Sequence, residues 1–285
     1  MPGTRELQRR IKSVKGTRKV TRALQLVSAA KMRRAQQATL ASRSYSGSAW
    51  ELIKRVASQA AIEHPLLTKP KKPGKIGVIV ISTNRGMVGS FNTNLLTNIL
   101  KLEQAEPKLL FELIVVGKKA KTGLTRLRKT IVAEFPKSEA RADISSVYPL
   151  AELLTEQFKT GEFSKIYVVY NHFVSTLVQA VTAKQLLPLT LPAEGETKSE
   201  REYQFEPSPQ LVLEHLLPRI IESQLYQAIL ESDASEHSAR MVMMKNATDA
   251  AGDLVDDLTL TFNQLRQNKI TTELSEITAG KIALE

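Results

Sequence analysis

Apolar and small residues recur in steps of three and four from the start of the chain: Leu7, Ile11, Val14, Thr17, Val20, Leu24, Val27, Ala30, then Ala35, Ala38 and Ala41. That is the period of one face of an α-helix. No proline falls between Pro2 and Pro65, so the pattern predicts one helix over the first ~60 residues, roughly 80–90 Å long at ~1.5 Å per residue. A stripe so long and so rich in small residues needs an equally long helix beside it. The other end of the chain supplies one. Ser208-Pro209 has the form of an N-cap followed by a first-turn proline. From there to about Ile277, Val212, Leu216, Ile220, Leu225, Ile229, Ala239, Met243, Ala250, Leu254, Leu258 and Leu265 keep helical spacing. The spacing is not a strict heptad, which predicts an irregular coiled coil. Pro218 is expected to kink this helix, and Gly252 to weaken it by ~1 kcal/mol relative to Ala.

The middle of the chain has a different period. Ile76–Ser82 and Phe111–Gly117 are short apolar runs with the character of buried strands, and Lys165–Tyr170 and Leu177–Val181 look like a strand pair. Helices are expected from Gly89 to about Leu102, after Gly117, and from Leu150 to Lys159. Strands alternating with helices indicate a largely parallel sheet. The expected fold is therefore α+β: a coiled coil of the N- and C-terminal helices plus a central α/β, Rossmann-like domain. The expected boundaries are 1–62 and 208–285 for a discontinuous shaft and 73–207 for the central domain, the latter ending in a polar exposed connector over 192–207.

Charge sharpens this picture. The 285 residues carry a net charge of +11, and the excess is local. From Arg5 to Arg43 there are twelve cations and one acid, Glu6, while the closing segment carries Asp249, Asp253, Asp256, Asp257, Glu273 and Glu276. One strongly basic helix calls for an acidic partner surface. The chain has no cysteine, which excludes disulfides and thiolate metal sites. No apolar run reaches the ~18–20 residues that cross a bilayer. The basic N-terminus has no apolar core of a secretory signal, and no transit peptide is expected because the helical period begins at once.

Catalytic chemistry finds little support. Asn84-Arg85-Gly86-Met87-Val88-Gly89 is a glycine-bearing turn after a strand, a place where phosphate can be cradled, but the dinucleotide fingerprint is absent. Gly117–Gly123 lacks the GxxxxGK[ST] pattern. His64, His172, His215 and His237 show no metal-ligand spacing, and Asp253, Asp256 and Asp257 fit a solvated helix face. No catalytic residue, cofactor or metal is expected. Two other readings stand beside an interaction role: a basic coiled-coil nucleic-acid binder, and a nucleotide-binding enzyme built on the central domain. Against nucleic acid, the first 44 residues contain no aromatic side chain on which bases could stack.

The stretch Ile11-Lys12-Ser13-Val14-Lys15-Gly16-Thr17-Arg18-Lys19-Val20-Thr21-Arg22-Ala23-Leu24, with Val27-Ser28-Ala29-Ala30-Lys31-Met32, resembles the opening helix of the gamma subunits of F-type ATP synthases. Ser82–Asn92 resembles the first turn of their central domain, and Ser235–Asp249 and Ile270–Ile277 resemble their closing helix. The resemblance runs in order over essentially the whole chain. Leu24 stands where that family commonly has Met, Thr272 where Gln is common, and Gly280-Lys281 where Gly-Ala is usual. The cysteine-bearing insertion of the chloroplast form is absent, so thiol control is not expected.

The resemblance implies a non-catalytic rotor: an asymmetric antiparallel coiled coil inside a ring of alpha and beta subunits, with its central domain forming a foot with epsilon on the c ring. Proton-driven rotation of the c ring would be coupled through it to the catalytic sites of the ring. It implies beta-subunit contacts at Lys19, Leu24, Arg85, Arg240, Arg266, Gln267 and Thr271, and c-ring contacts at Phe205 and Glu206. It further implies peripheral attachment, through the complex, to the cytoplasmic or equivalent face of an energy-transducing membrane, with no nucleic-acid partner.

Overall fold

A computed structural model of the chain describes residues 3–60, 64–68, 70, 74–107, 109–138, 143–189, 206 and 208–282. It divides into two compact units, Ala30–Ala239 and Met1–Ala29 with Arg240–Glu285. Two long helices contribute to both units: α1 (Thr4–Ala60) and α5 (Pro209–Ile282). The sequence-based boundaries at 62 and 208 fall near the ends of these helices, whereas the division between compact units falls inside them.

The larger unit is built on five strands, β1 (Lys75–Ile81), β2 (Phe111–Val116), β3 (Ile131–Phe135), β4 (Phe163–Phe173) and β5 (Gln179–Leu187), in the order β3-β2-β1-β4-β5. Four run parallel and β5 pairs antiparallel with β4. The central strand, KIGVIVI, is apolar on both faces because helices cover both. On one face α2 (Phe91–Ala105) and α3 (Lys118–Arg126) place Leu95, Ile99, Ala120 and Leu124 over Val78, Val80, Leu113 and Val115. On the other, α4 (Tyr148–Lys159), Ile53 and Val56 of α1, and α5 from Leu213 to Leu230 cover Ile79, Ile81, Ile114 and Val168.

Two expectations shift in register. β5 runs over Gln179–Leu187, not Leu177–Val181, because Ser175 to Val178 form the turn: the Val178 N–H bonds Ser175 Oγ at 3.1 Å. β3 was not anticipated. It is a five-residue edge strand that alternates half-buried and exposed residues, with none fully buried, and its apolar signal is correspondingly weak. Pro218 lies inside α5 without ending it. Ser208 caps the helix as expected, its Oγ accepting the Leu211 N–H at 3.4 Å.

α5 has no amphipathic stripe in this unit for a physical reason. No residue from Ile220 to Ala239 is exposed, so the helix is buried all round and needs no polar face. Its polar residues there, including Glu231, Ser232, Asp233, Ser235 and Glu236, are buried or half-buried.

In the smaller unit the two helices run antiparallel. Thr248 Oγ1 donates to Thr21 Oγ1 at 2.8 Å, and the Arg18 guanidinium lies across Gly252, where a Cβ would sit 3.2 Å from Arg18 Cζ. The contact face of α1 differs from the stripe expected by counting apolar residues. Leu7 is buried and Leu24 half-buried, but Val20 and Val27 are 59% and 52% exposed. Thr21 and Ser28 take the inward positions instead, Ser28 being buried. Small side chains let the helix backbones approach, and hydroxyls can satisfy themselves on a neighbouring turn.

Candidate functional site

In open α/β sheets ligands enter the crevice beyond the carboxyl ends of the strands. Here the chain's own atoms occupy that crevice at the head of α3. The first three N–H groups of α3, the natural seat for an anion, are all taken. Lys118 N–H bonds Asn84 Oδ1 at 3.3 Å, Lys119 N–H bonds the Thr83 carbonyl at 2.9 Å, and Ala120 N–H bonds Ser82 Oγ at 2.9 Å. The approach is tight enough to require glycine at Gly117, with φ 98°, where a Cβ would lie 2.7 Å from the Ser82 carbonyl oxygen. Thr83 is tied in turn to the start of α2, Asn92 Nδ2 donating to its hydroxyl at 2.9 Å. In the turn over 84–89, Met87 (φ 62°) and Gly89 (φ 60°) take left-handed conformations, while Gly86 has open space around it. The turn serves packing of β1 against α2 and α3.

The same end of the sheet holds a buried ion cluster that the sequence reading missed. Asn84 Nδ2 donates to the Lys137 carbonyl at 2.9 Å. The Lys137 side chain, 3% exposed, reaches Asp233 Oδ1 and Glu236 Oε2 of α5, each at 2.8 Å. Burial works to lower the lysine pKa, but the two carboxylates outweigh it and hold the ammonium charged far above its ordinary range. Burial pushes the Asp233 carboxyl up, Lys137 opposing. Nearby, His172 Nδ1 and Glu231 Oε2 lie 2.6 Å apart. Burial would raise the Glu231 pKa, but hydrogen bonds from Gln227 and His172 hold it below the usual carboxylate range. A signal for this cluster was present in the run Glu231-Ser232-Asp233-Ala234-Ser235-Glu236, too polar for a helix whose neighbours are core-forming. Its partner Lys137 could not be paired with it from the sequence. Among the described residues, no group of three or more His, Asp or Glu could hold a metal ion, and no helix is long and apolar enough to cross a membrane.

Of the contact positions implied by resemblance, most that are described lie exposed, and Arg240 does not. In the smaller unit, Lys19, Arg266, Gln267 and Thr271 are exposed and Leu24 is half-buried. Arg240 is only 9% exposed. In the larger unit, Arg85 and Glu206 are exposed; Phe205 lies outside the described residues. The register that sets Thr21 against Thr248 brings the start of α1 level with about residue 265 of α5, since both helices rise equally per residue. Past that level every residue from Arg266 to Ala279 is exposed, including Ile270, Leu274 and Ile277 at 48%, 59% and 70%. On the flank of α1, Leu26 and Leu40 are 63% and 62% exposed. Ile270, Leu274 and Ile277, at steps of four and three, share one side of the helix, which groups their apolar surface as a partner contact would.

A two-helix antiparallel unit with bare apolar and basic flanks, and a Rossmann-like unit whose crevice is occupied by its own atoms at the head of α3, define a protein that works through contacts. Comparison with known proteins makes this specific. A family model described as ATP synthase matches residues 3–284. The ATP synthase gamma chain of Pelotomaculum thermopropionicum is 42% identical over 100% of both chains, and that of Stenotrophomonas maltophilia 38% identical over 100% of both. In fold, the chain resembles a chain of the Euglena gracilis mitochondrial ATP synthase rotor, with TM-score 0.65 and 20% identity over 94% of this chain and 98% of that one. It also resembles one from the central stalk and c-ring structure of the Tetrahymena thermophila enzyme, with TM-score 0.61 and 21% identity over 80% and 99%. The chain belongs to the ATP synthase gamma-chain family.

Proposed function

We propose that this chain is the central rotor shaft of an F-type ATP synthase. It turns inside a ring of alpha and beta subunits, binds epsilon and the c ring through its larger unit, and contributes no catalytic group of its own. The observation that carries this reading is full-length similarity to gamma chains, at 42% identity with no part of either chain left over. The bare end of α5 supports it: Ile270, Leu274 and Ile277, spaced along one side of the helix, are exposed and offer apolar surface to an enclosing partner. Many weak surface pairs, each worth ~0–1 kcal/mol, suit a shaft that must pass successive partners, whereas a few strong ones would hold it at one angle. The chain reaches the membrane through its complex.

Lys19, Leu24, Arg85, Arg240, Arg266, Gln267 and Thr271 are proposed to meet beta subunits, and Phe205 and Glu206 the c ring. A nucleic-acid role has no comparable support.

The test uses the absence of cysteine. Gln267→Cys places a unique thiol on an exposed turn of α5. A disulfide from it to a thiol engineered on one beta subunit of the assembled complex is expected to stop steady-state ATP hydrolysis, and reduction to restore it. Full hydrolysis with the bridge complete on a gel would mean that this helix does not turn past beta, and the rotor reading would fall.

A further inference from the structure

Two sets of polar contacts hold α5 within the larger unit from opposite sides of the helix. At about 100° per residue, Glu231 and Ser238 lie within about 20° of each other around the axis, while Asp233 and Glu236 lie on the far side. The first side is held by the β4–β5 hairpin: His172 meets Glu231 at 2.6 Å, and Ser238 Oγ donates to the Thr176 carbonyl at 2.6 Å. The second is held by Lys137, from the loop after β3, at 2.8 Å to each carboxylate, with the charge of Lys31 also acting on Asp233. That loop is itself anchored, since Asn84 at the end of β1 bonds both the Lys137 carbonyl and the first N–H of α3. Up to Leu230 α5 also buries large apolar residues, Leu225, Ile229 and Leu230 among them, but from Ser232 to Ala239 its remaining buried surface is small: Ser232, Ala234, Ser235 and Ala239. Over that stretch a surface of small side chains offers less resistance to turning about the helix axis than the interdigitated core that precedes it. Directional bonds on opposite sides do resist it.

We infer that Lys137 is a positioning residue for torque: with the β4–β5 hairpin it forms a two-jawed clamp that stops α5 from turning about its own axis within the α/β unit. A shaft helix that slipped in its seat would rotate without delivering that rotation. The clamp rests on the rotor reading, and it concerns how the chain keeps its own helix in step rather than what the chain touches.

The experiment places three variants in the complete ATP synthase, reconstituted in sealed vesicles, and measures ATP hydrolysis and protons pumped per ATP as the opposing gradient grows. Lys137→Arg keeps a cation in place and is expected to pump within twofold of the parent. Lys137→Met leaves two carboxylates buried one turn apart; it is expected to lower both the stability of the chain and its pumping. The deciding variant is Lys137→Met with Asp233→Asn and Glu236→Gln, which removes the charge conflict without restoring the clamp. Its thermal stability is expected to return to within a few degrees of the parent, while protons per ATP stay several-fold low and fall further as the gradient builds. Pumping that recovers along with stability would overturn the inference, because Lys137 would then only support the fold. Unchanged pumping in Lys137→Met would overturn it too, as would failure of the triple variant to assemble. A parent complex that hydrolyses ATP without pumping would instead sink the rotor reading.

Discussion

At the scale of single residues, the backbone makes two demands that can be tested directly. Gly117 combines φ 98° with a Cβ position 2.7 Å from a backbone carbonyl, so a side chain there is strained by conformation and by contact. Gly117→Ala is expected to lower stability by about 2–4 kcal/mol, more than the ~1–2 kcal/mol of a left-handed backbone alone, as read from the urea midpoint of the purified chain. Arg128 is the converse case. The Lys129 N–H bonds the Leu124 carbonyl and the Arg128 N–H bonds the Thr125 carbonyl, both at 3.0 Å, which is the doubly bonded helix ending that places its C′ residue in the left-handed region. Arg128, at φ 55°, occupies that place. Arg128→Gly removes the Cβ penalty and is expected to raise the midpoint by an equivalent of about 1 kcal/mol. Neither demand was visible in the sequence. Gly117 stood there as part of a vaguely phosphate-like run, and nothing around Arg128 marked a left-handed residue, because φ is set by where the next strand must begin.

At the scale of elements, the turn after α1 carries a pH response. His64 is half-buried, and its Nδ1 accepts the Leu66 N–H at 3.1 Å, while the Leu66 carbonyl accepts from Leu189 at 2.8 Å. Burial, then the charge of Lys159, hold its pKa below the ordinary 6.5, with Glu214 opposing. The unfolded chain therefore takes up a proton at a pH where the folded chain does not. Stability from this group is full above about pH 6.5 and is lost as pH falls through its lowered folded-state value. Urea midpoints compared at pH 7.5 and 5.5 are expected to show that fall, and His64→Asn to reduce it; an unchanged slope in the variant would assign the response elsewhere. The long helices were legible as elements because a 3.6-residue period sustained over many turns has no competing interpretation. Their faces were less legible. Val20 and Val27 look inward by apolar count, yet Thr21 and Ser28 are the residues that face α5 or lie buried. Hydrophobicity predicts what avoids water, whereas close helix contact selects for size.

At the scale of the whole molecule, the proposed contacts predict function without predicting stability. Arg266 is exposed on the part of α5 that runs past α1. Arg266→Glu is expected to leave the stability of the free chain within about 0.5 kcal/mol, because its side chain lies exposed on the helix surface. In the reconstituted complex it is expected to lower proton pumping several-fold more than assembly. Equal hydrolysis and pumping in parent and variant would remove Arg266 from the contact set. The class of the architecture, two terminal helices flanking an α/β middle, could be read along the chain, because periodicity and punctuation are local properties. Motif by motif, the sequence also determined the family, which the comparisons with gamma chains bear out. Only the tertiary structure decided that the crevice at the head of α3 is occupied by Ser82, Thr83 and Asn84, and that Lys137 meets carboxylates nearly a hundred residues away. It also decided that α5 changes from buried all round to bare all round within one continuous helix. Burial and ion pairing depend on which segments the topology brings together, and that is a property of the folded chain, carried by no local stretch of residues.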